Sequence, residues 1–185
     1  MRELPMFASM PVRIALIVAS LLVVAGCASR PAPAPVAIPG ATGMAPAAAA
    51  LAPAAYMQLA ASSALFAVRA SDLVAQRTGD ARLREVARAI AQDQRGIGSQ
   101  LNFAGRRLDL LPSAALTSEQ AADLSRLESV GDVDKLYRQV MDPVLTRAAQ
   151  LHAAFAVRGS SPTLRPAAQM AAPATRRNLQ QLRRR

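Results

Sequence analysis

The chain has 185 residues, with 22 Lys and Arg against 12 Asp and Glu and a formal net charge of +10. That length allows one domain of ordinary size behind an export segment. Aromatics are 3% of the residues and Trp is missing, while Ala and Leu supply most apolar content, which argues against a β core and for a helix bundle. The single cysteine excludes an intramolecular disulfide. Lys135 is the only lysine, so the charge is carried by arginine. It forms either a solvated basic surface or a surface for an anionic partner such as lipid phosphate. Nucleic acid is not expected as a partner of an exported chain.

In chain order, Arg13 precedes an apolar run from Ile14 to Gly26. A bilayer crossing takes about 20 residues, so this run has the length of a signal-peptide core rather than a membrane span. Val24-Ala25-Gly26-Cys27 closes it. This resembles the lipobox of bacterial lipoproteins, in which cleavage precedes the cysteine and the thiol receives a diacylglycerol group. The resemblance implies that residues 1–26 are removed and that Cys27 carries lipid, palmitate included. It also implies an outer-membrane address facing the periplasm, since Ala28 and Ser29, not Asp, follow Cys27. Two or more acyl chains hold a protein stably on a membrane. Met1, Met6 and Met10 are all candidate starts, and Met10 gives the most compact signal.

Residues 27–53 form the lipidated cysteine and an Ala/Pro-rich tether, with Pro31, Pro33, Pro35, Pro39, Pro46 and Pro53. Such a composition builds no core and is expected to be a disordered, extended spacer. At about 3.1 Å per residue it reaches a few tens of ångströms.

Residues 54–185 are expected to form the helical bundle. Tyr56, Leu59, Ser63, Phe66, Ala70 and Leu73 alternate steps of three and four, one face of a first helix. Thr78-Gly79-Asp80 breaks it, and Asp80 caps a second helix. That helix carries Leu83, Ala87, Ile90, Gln94, Ile97, Leu101 and Ala104 on one stripe and ends at Leu110 to Pro112. Thr117 to Gln120 reads as a capping box opening a short helix to about Val130. After Gly131-Asp132 a further helix places Val133, Tyr137, Val140, Val144, Ala148, Leu151 and Phe155 on one face, with Pro143 expected to kink it. Gly159 stops it. Ser161-Pro162 is expected to cap and open the last helix, made irregular by Pro166 and Pro173. Four longer helices and one short one, joined by short turns, predict an all-α, up-and-down bundle with antiparallel neighbours.

From about Tyr56 to Leu182 the order of short motifs resembles a bacterial family of unknown function, described as outer-membrane proteins with a ferritin-like bundle. The motifs are Leu83-Arg84-Glu85-Val86-Ala87, then Ala91-Gln92-Asp93-Gln94, then Val133-Asp134 with Tyr137, and Leu151-His152. Gly159 with Ser161 to Arg165, and Pro173 with Asn178-Leu179, complete the series. The resemblance implies His at the position of Gln94, near Leu145 and near Asn178. This chain has none of those three and keeps only His152.

A di-iron bundle site needs inward Glu-x-x-His motifs. Glu85, Glu119 and Glu128 have no His three residues later, and Glu3 lies in the signal. A zinc site needs several Cys or His ligands. No metal, cofactor or catalytic residue is therefore expected, and the reading is non-enzymatic. His152 is expected at a bundle seam with a backbone or Gln partner. Gln94, the polar residue in the second stripe, is expected to bond His152 or Ser63 and so fix packing register. Arg158, Arg165, Arg176, Arg177, Arg183, Arg184 and Arg185 occur in a C-terminal stretch without an acid. That stretch is either a solvated face or a dock for anionic envelope lipid or polymer. An envelope protein is the other partner considered. A degenerate ferritin-like metal or stress protein is the alternative reading of the whole.

Overall fold

The computed structural model describes residues 52–112 and 115–184; the signal, Cys27 and the tether lie outside them. Five helices follow in order: α1 (Pro53–Arg77), α2 (Ala81–Arg106), α3 (Ser118–Ser129), α4 (Val133–Arg158) and α5 (Arg165–Arg183). The described residues contain no strand. The architecture is thus the expected all-α bundle of four long helices and one short one.

The helix starts follow from local chemistry. The Asp80 carboxylate accepts from the amides of Arg82 (2.9 Å) and Leu83 (3.2 Å), satisfying two donors of the first turn of α2. At α3, Thr117 Oγ1 accepts from Gln120 N at 3.2 Å and Gln120 Oε1 accepts from Thr117 N at 2.9 Å, which is the predicted capping box. Asp132 caps α4 by accepting from Lys135 N at 3.0 Å. The last helix departs from expectation. Ser161 does accept from Leu164 N, through both its backbone and its side chain, but this makes a single turn over residues 162–164. The regular helix begins at Arg165, where Pro166 fits the first turn because no amide is needed there. Pro143 sits on an exposed face of α4, and the helix runs on through it. Pro143 has no amide to offer the carbonyl four residues back, that of exposed Gln139.

The long helices form a ring. α1 packs chiefly on α2 and α4 on α5, and α1–α4 and α2–α5 close the ring. Each neighbour pair is antiparallel. α2 and α4 therefore lie on a diagonal and run parallel, so the connection between them must cross the length of the bundle. α3 lies on that crossover and packs on α1 and α4. One long crossover is the topology of ferritin-like bundles.

The core divides into two clusters along the bundle axis. At the near end, where the chain enters at Ala52, Tyr56, Met57, Leu101, Phe155, Leu164 and Ala168 pack together. At the far end, Phe66, Val74, Leu83, Leu127, Tyr137 and Met141 do so. The predicted stripes of α2 and α4 are buried, Leu151 only partly. The α1 stripe needs correction. Leu59 is 52% exposed and Ser63 and Leu73 are only half-buried, while Met57, Ala60, Ala64, Ala67, Ser71 and Val74 line the core. Small residues let α1 lie close to its neighbours.

Two glycines mark close approaches at the near end. A Cβ on Gly105 would stand 2.6 Å from the Leu110 carbonyl oxygen and 2.8 Å from Met57 Cε. One on Gly159 would meet the Phe155 ring at 2.6 Å.

Candidate functional site

The helices enclose a series of buried polar groups, and three pairings tie distant parts of the chain together. His152 on α4 is 1% exposed, and its Nδ1 lies 3.0 Å from the hydroxyl of Tyr56 on α1. The Tyr56 ring also stacks on Phe155, with centroids 3.8 Å apart and planes 14° apart, and meets the imidazole edge-on at 5.8 Å. Burial drives the His152 pKa down to about 4 and pushes that of Tyr56 up. Both effects favour the uncharged forms. A neutral imidazole can accept at Nδ1 the proton that a neutral phenol donates. His152 was expected at a seam, where it is, but its partner is a tyrosine rather than a backbone group or Gln. With its pKa lowered by burial and its Nδ1 lone pair facing the phenol, the His152 imidazole is a weak proton acceptor.

Gln94 is buried as expected, yet its partner differs. Its Nε2 lies 3.5 Å from Thr175 Oγ1 on α5, so it bonds neither His152 nor Ser63. The α2–α5 contact places Thr175 over the stripe that carries Gln94. A long hydrogen bond between neutral groups still satisfies a buried amide better than an apolar wall would. An open groove between α1 and α2 runs beside Gln94, lined mainly by Ala61, Ala64, Leu65 and Val68. Its arginine, Arg95, is paired with Asp72 on the surface.

Two further polar features escaped the sequence reading. Ser71 Oγ and Tyr137 Oη are 2.7 Å apart in the far-end core, and burial raises the Tyr137 pKa. Asn178 on α5 is fully buried, and neither side-chain atom has a hydrogen-bond partner. An unsatisfied buried amide is costly. The signal for it lay in spacing, since Asn178 stands seven residues after Ala171 and four before Leu182 on the buried face of α5.

Gln94 and His152, and Leu145 and Asn178, near which the resemblance implies histidine, are all interior. They hold two amides, one alkyl chain and one imidazole. Among the described residues no three His, Cys, Asp or Glu side chains gather to hold a metal ion.

The C-terminal arginines are partly used within the fold. Arg183 Nε donates to Asp142 Oδ2 at 2.6 Å and its Nη2 to Oδ1 at 2.8 Å, a bidentate pair on α4. The Arg183 guanidinium holds the Asp142 carboxyl below the usual carboxylate range. Arg176 and Arg177 remain exposed. Cys27, the proposed lipidation site, lies outside the described residues.

A family model matches residues 39–184, most of the chain, and its description is "Domain of unknown function (DUF4142)". The chain belongs to that family. No curated protein and no solved structure matches it.

Proposed function

We propose that the protein is a lipid-anchored bacterial envelope protein, cut before Cys27, whose helical bundle serves a non-enzymatic structural or interaction role. The observation that carries this reading is Val24-Ala25-Gly26-Cys27 at the end of the apolar run that follows Arg13. Export makes a lone cysteine a liability, and acylation removes it. The Ala/Pro-rich segment then acts as a spacer between the lipid on Cys27 and the bundle. Absence of an aspartate after Cys27 favours the outer membrane, facing the periplasm. None of the described helices is long and apolar enough to cross a membrane.

The interior supports a non-enzymatic role. Its one imidazole is neutral and bonded to a tyrosine, and its amides are bonded within the fold or enclosed by it. The test is mass analysis of the mature N-terminus after expression with labelled palmitate. The expected product starts at an acylated Cys27, and Cys27→Ser abolishes both processing and labelling. A mature chain that retains residues 1–26 with a free thiol would overturn the anchor. The metal-protein reading has its own test, elemental analysis of the purified chain, in which stoichiometric iron or zinc would displace the present proposal.

A further inference from the structure

The large exposed hydrophobic residues are not scattered. Leu59, Phe103, Leu111, Val157 and Met170 all lie toward the near end. At 1.5 Å per residue, each helical member is within about 9 Å of the end of its helix. Val157 and Phe103 are one and three residues from the ends of α4 and α2 and are 78% and 64% exposed, and Leu111, in the segment that turns back after α2, is 63% exposed. Phe103 and Arg107 adjoin Pro162 and Pro166 across the α2–α5 gap, so the apolar and basic groups share one surface. The Arg107 guanidinium lies 5.8 Å from the Phe103 ring centroid.

The charge at this tip is one-sided. Arg106, Arg107, Arg158 and Arg165 surround it, and Asp109 is the acid among them. None of the four arginines forms an ion pair among the described residues. Arginines elsewhere have structural work. At the far end Arg77 donates to the carbonyls of Leu127, Glu128 and Val130 and so closes the end of α3. Arg138 donates to the Leu182 carbonyl at 2.8 Å. Among the described residues the near-end arginines have no such carbonyl or carboxylate partner, and Arg107 meets only the Phe103 ring.

We propose that the near end of the bundle is a membrane-docking face. Phe103, Leu111 and Val157 enter the boundary between headgroups and acyl chains, and the four arginines meet anionic lipid phosphates. This deepens the anchored-envelope reading and rests on it for the direction of approach. α1 starts at this same end, so the segment from Cys27 leads to it. A tether raises the effective concentration of membrane at the face it leads to, so that even weak docking is populated. Exposed apolar residues ringed by arginine are the composition of interfacial binding surfaces. A second copy of the chain fits poorly, because an isologous contact would oppose four unneutralised arginines to four more.

The chain contains no Trp, which makes single reporters available. The full chain is reconstituted with Val157→Trp, or with Gly79→Trp at the far end, where an added Cβ meets nothing within 4 Å. The vesicles contain brominated phosphatidylcholine and a minority of phosphatidylglycerol. Quenching and a blue shift are expected for Val157→Trp and not for Gly79→Trp. In the Val157→Trp background, each of Arg106→Gln and Arg107→Gln lowers the ratio of docked to free bundle about fivefold, and salt does the same. Circular dichroism verifies that these surface variants are folded.

An unquenched near-end reporter overturns the proposal, as does equal quenching at both ends. Quenching indifferent to phosphatidylglycerol and salt removes the arginines' role and overturns it as stated. Cross-linking of Val157 to an envelope protein in place of lipid does so too. The mass of the N-terminal peptide separates this test from that of the anchor. A chain held to vesicles by its unprocessed apolar run still reports docking, and an acylated chain with an unquenched reporter defeats docking alone.

Discussion

The two ends of the bundle solve the same packing problem with different chemistry. The far end packs Phe66 and Tyr137 apart among aliphatic side chains, and its buried polar pair, Ser71 with Tyr137, is 2.7 Å long and lacks a group that titrates near neutral pH. On its surface Asp80, Asp132 and Asp142 are interleaved with Arg77, Lys135, Arg138 and Arg183. The near end is aromatic, with Tyr56 stacked on Phe155 and bonded to His152. Its surface is basic and apolar at once. The far end is therefore finished within the fold, through caps and ion pairs. The near end keeps an exposed surface and a buried base, and both make it respond to its surroundings.

The largest effect that sharpens this contrast is removal of the aromatic stack. Phe155 is fully buried against Tyr56 and Gly159. Phe155→Ala is expected to cost about 3–5 kcal/mol, since the ring's burial is lost and the cavity only partly collapses. Urea denaturation followed by circular dichroism measures it. A cost below about 1 kcal/mol would mean that the near-end core is loose and would dissolve the comparison.

Acid is the next lever. Folding holds the His152 pKa at about 4, below its ordinary value of 6.5. The unfolded chain therefore binds the proton first as pH falls. The resulting loss of stability sets in below pH 6.5 and is complete below about 4. Over that window the folded state loses about 3 kcal/mol, taken as an order of magnitude, at about 1.36 kcal/mol per pH unit. His152→Leu should flatten the urea midpoint between pH 7 and pH 4, apart from what the carboxylates contribute below pH 5. A wild-type midpoint that does not move between pH 6.5 and pH 5 would show that the imidazole is not held neutral.

The contrast between helices shows what the sequence could reveal. The stripe of α2 was legible because charged residues such as Arg82, Glu85 and Arg88 stand between its apolar ones, and its seven predicted members are buried. α1 offered no such contrast. Ala and Ser occur around its whole circumference, so the larger Leu59 drew the stripe away from Ala60, Ala64 and Ala67, which pack inward because they are small. The caps at Asp80 and Thr117 were readable because each bonds within three residues, and Asp132, read only as part of a break, caps α4 at the same spacing. The interior pairs were not. Tyr56 and His152 are 96 residues apart, and Gln94 and Thr175 are 81 apart. Only the packing of α1 on α4 and of α2 on α5 brings them together. The near-end surface was hidden for the same reason, since four helix termini contribute to it.

Tyr137→Phe at the far end provides the matched control for His152. It leaves Ser71 Oγ buried without its partner, at an expected cost of about 1 kcal/mol. Because neither group titrates between pH 4 and 7, that cost should be the same at both limits. A cost that grows toward pH 4 would place acid sensitivity at the far end as well and erase the distinction.

The smallest expected effect is at Asp109, in the turn that follows α2. Its backbone is left-handed, with φ at 53°, a conformation that Asp and Asn tolerate better than other side chains with a Cβ. Among the described residues Asp109 is the one acid at the near-end helix termini that carry Arg106, Arg107, Arg158 and Arg165. Asp109→Asn keeps the turn and removes the charge. Folding stability should change by less than about 0.5 kcal/mol, because the residue is exposed. Docking should strengthen, read as deeper quenching of the Val157→Trp reporter in anionic vesicles. A stability loss above 1 kcal/mol would show that Asp109 is an anchor of the turn through its charge. The four arginines would then already have a counter-ion within the fold, and the near end would be as self-contained as the far one.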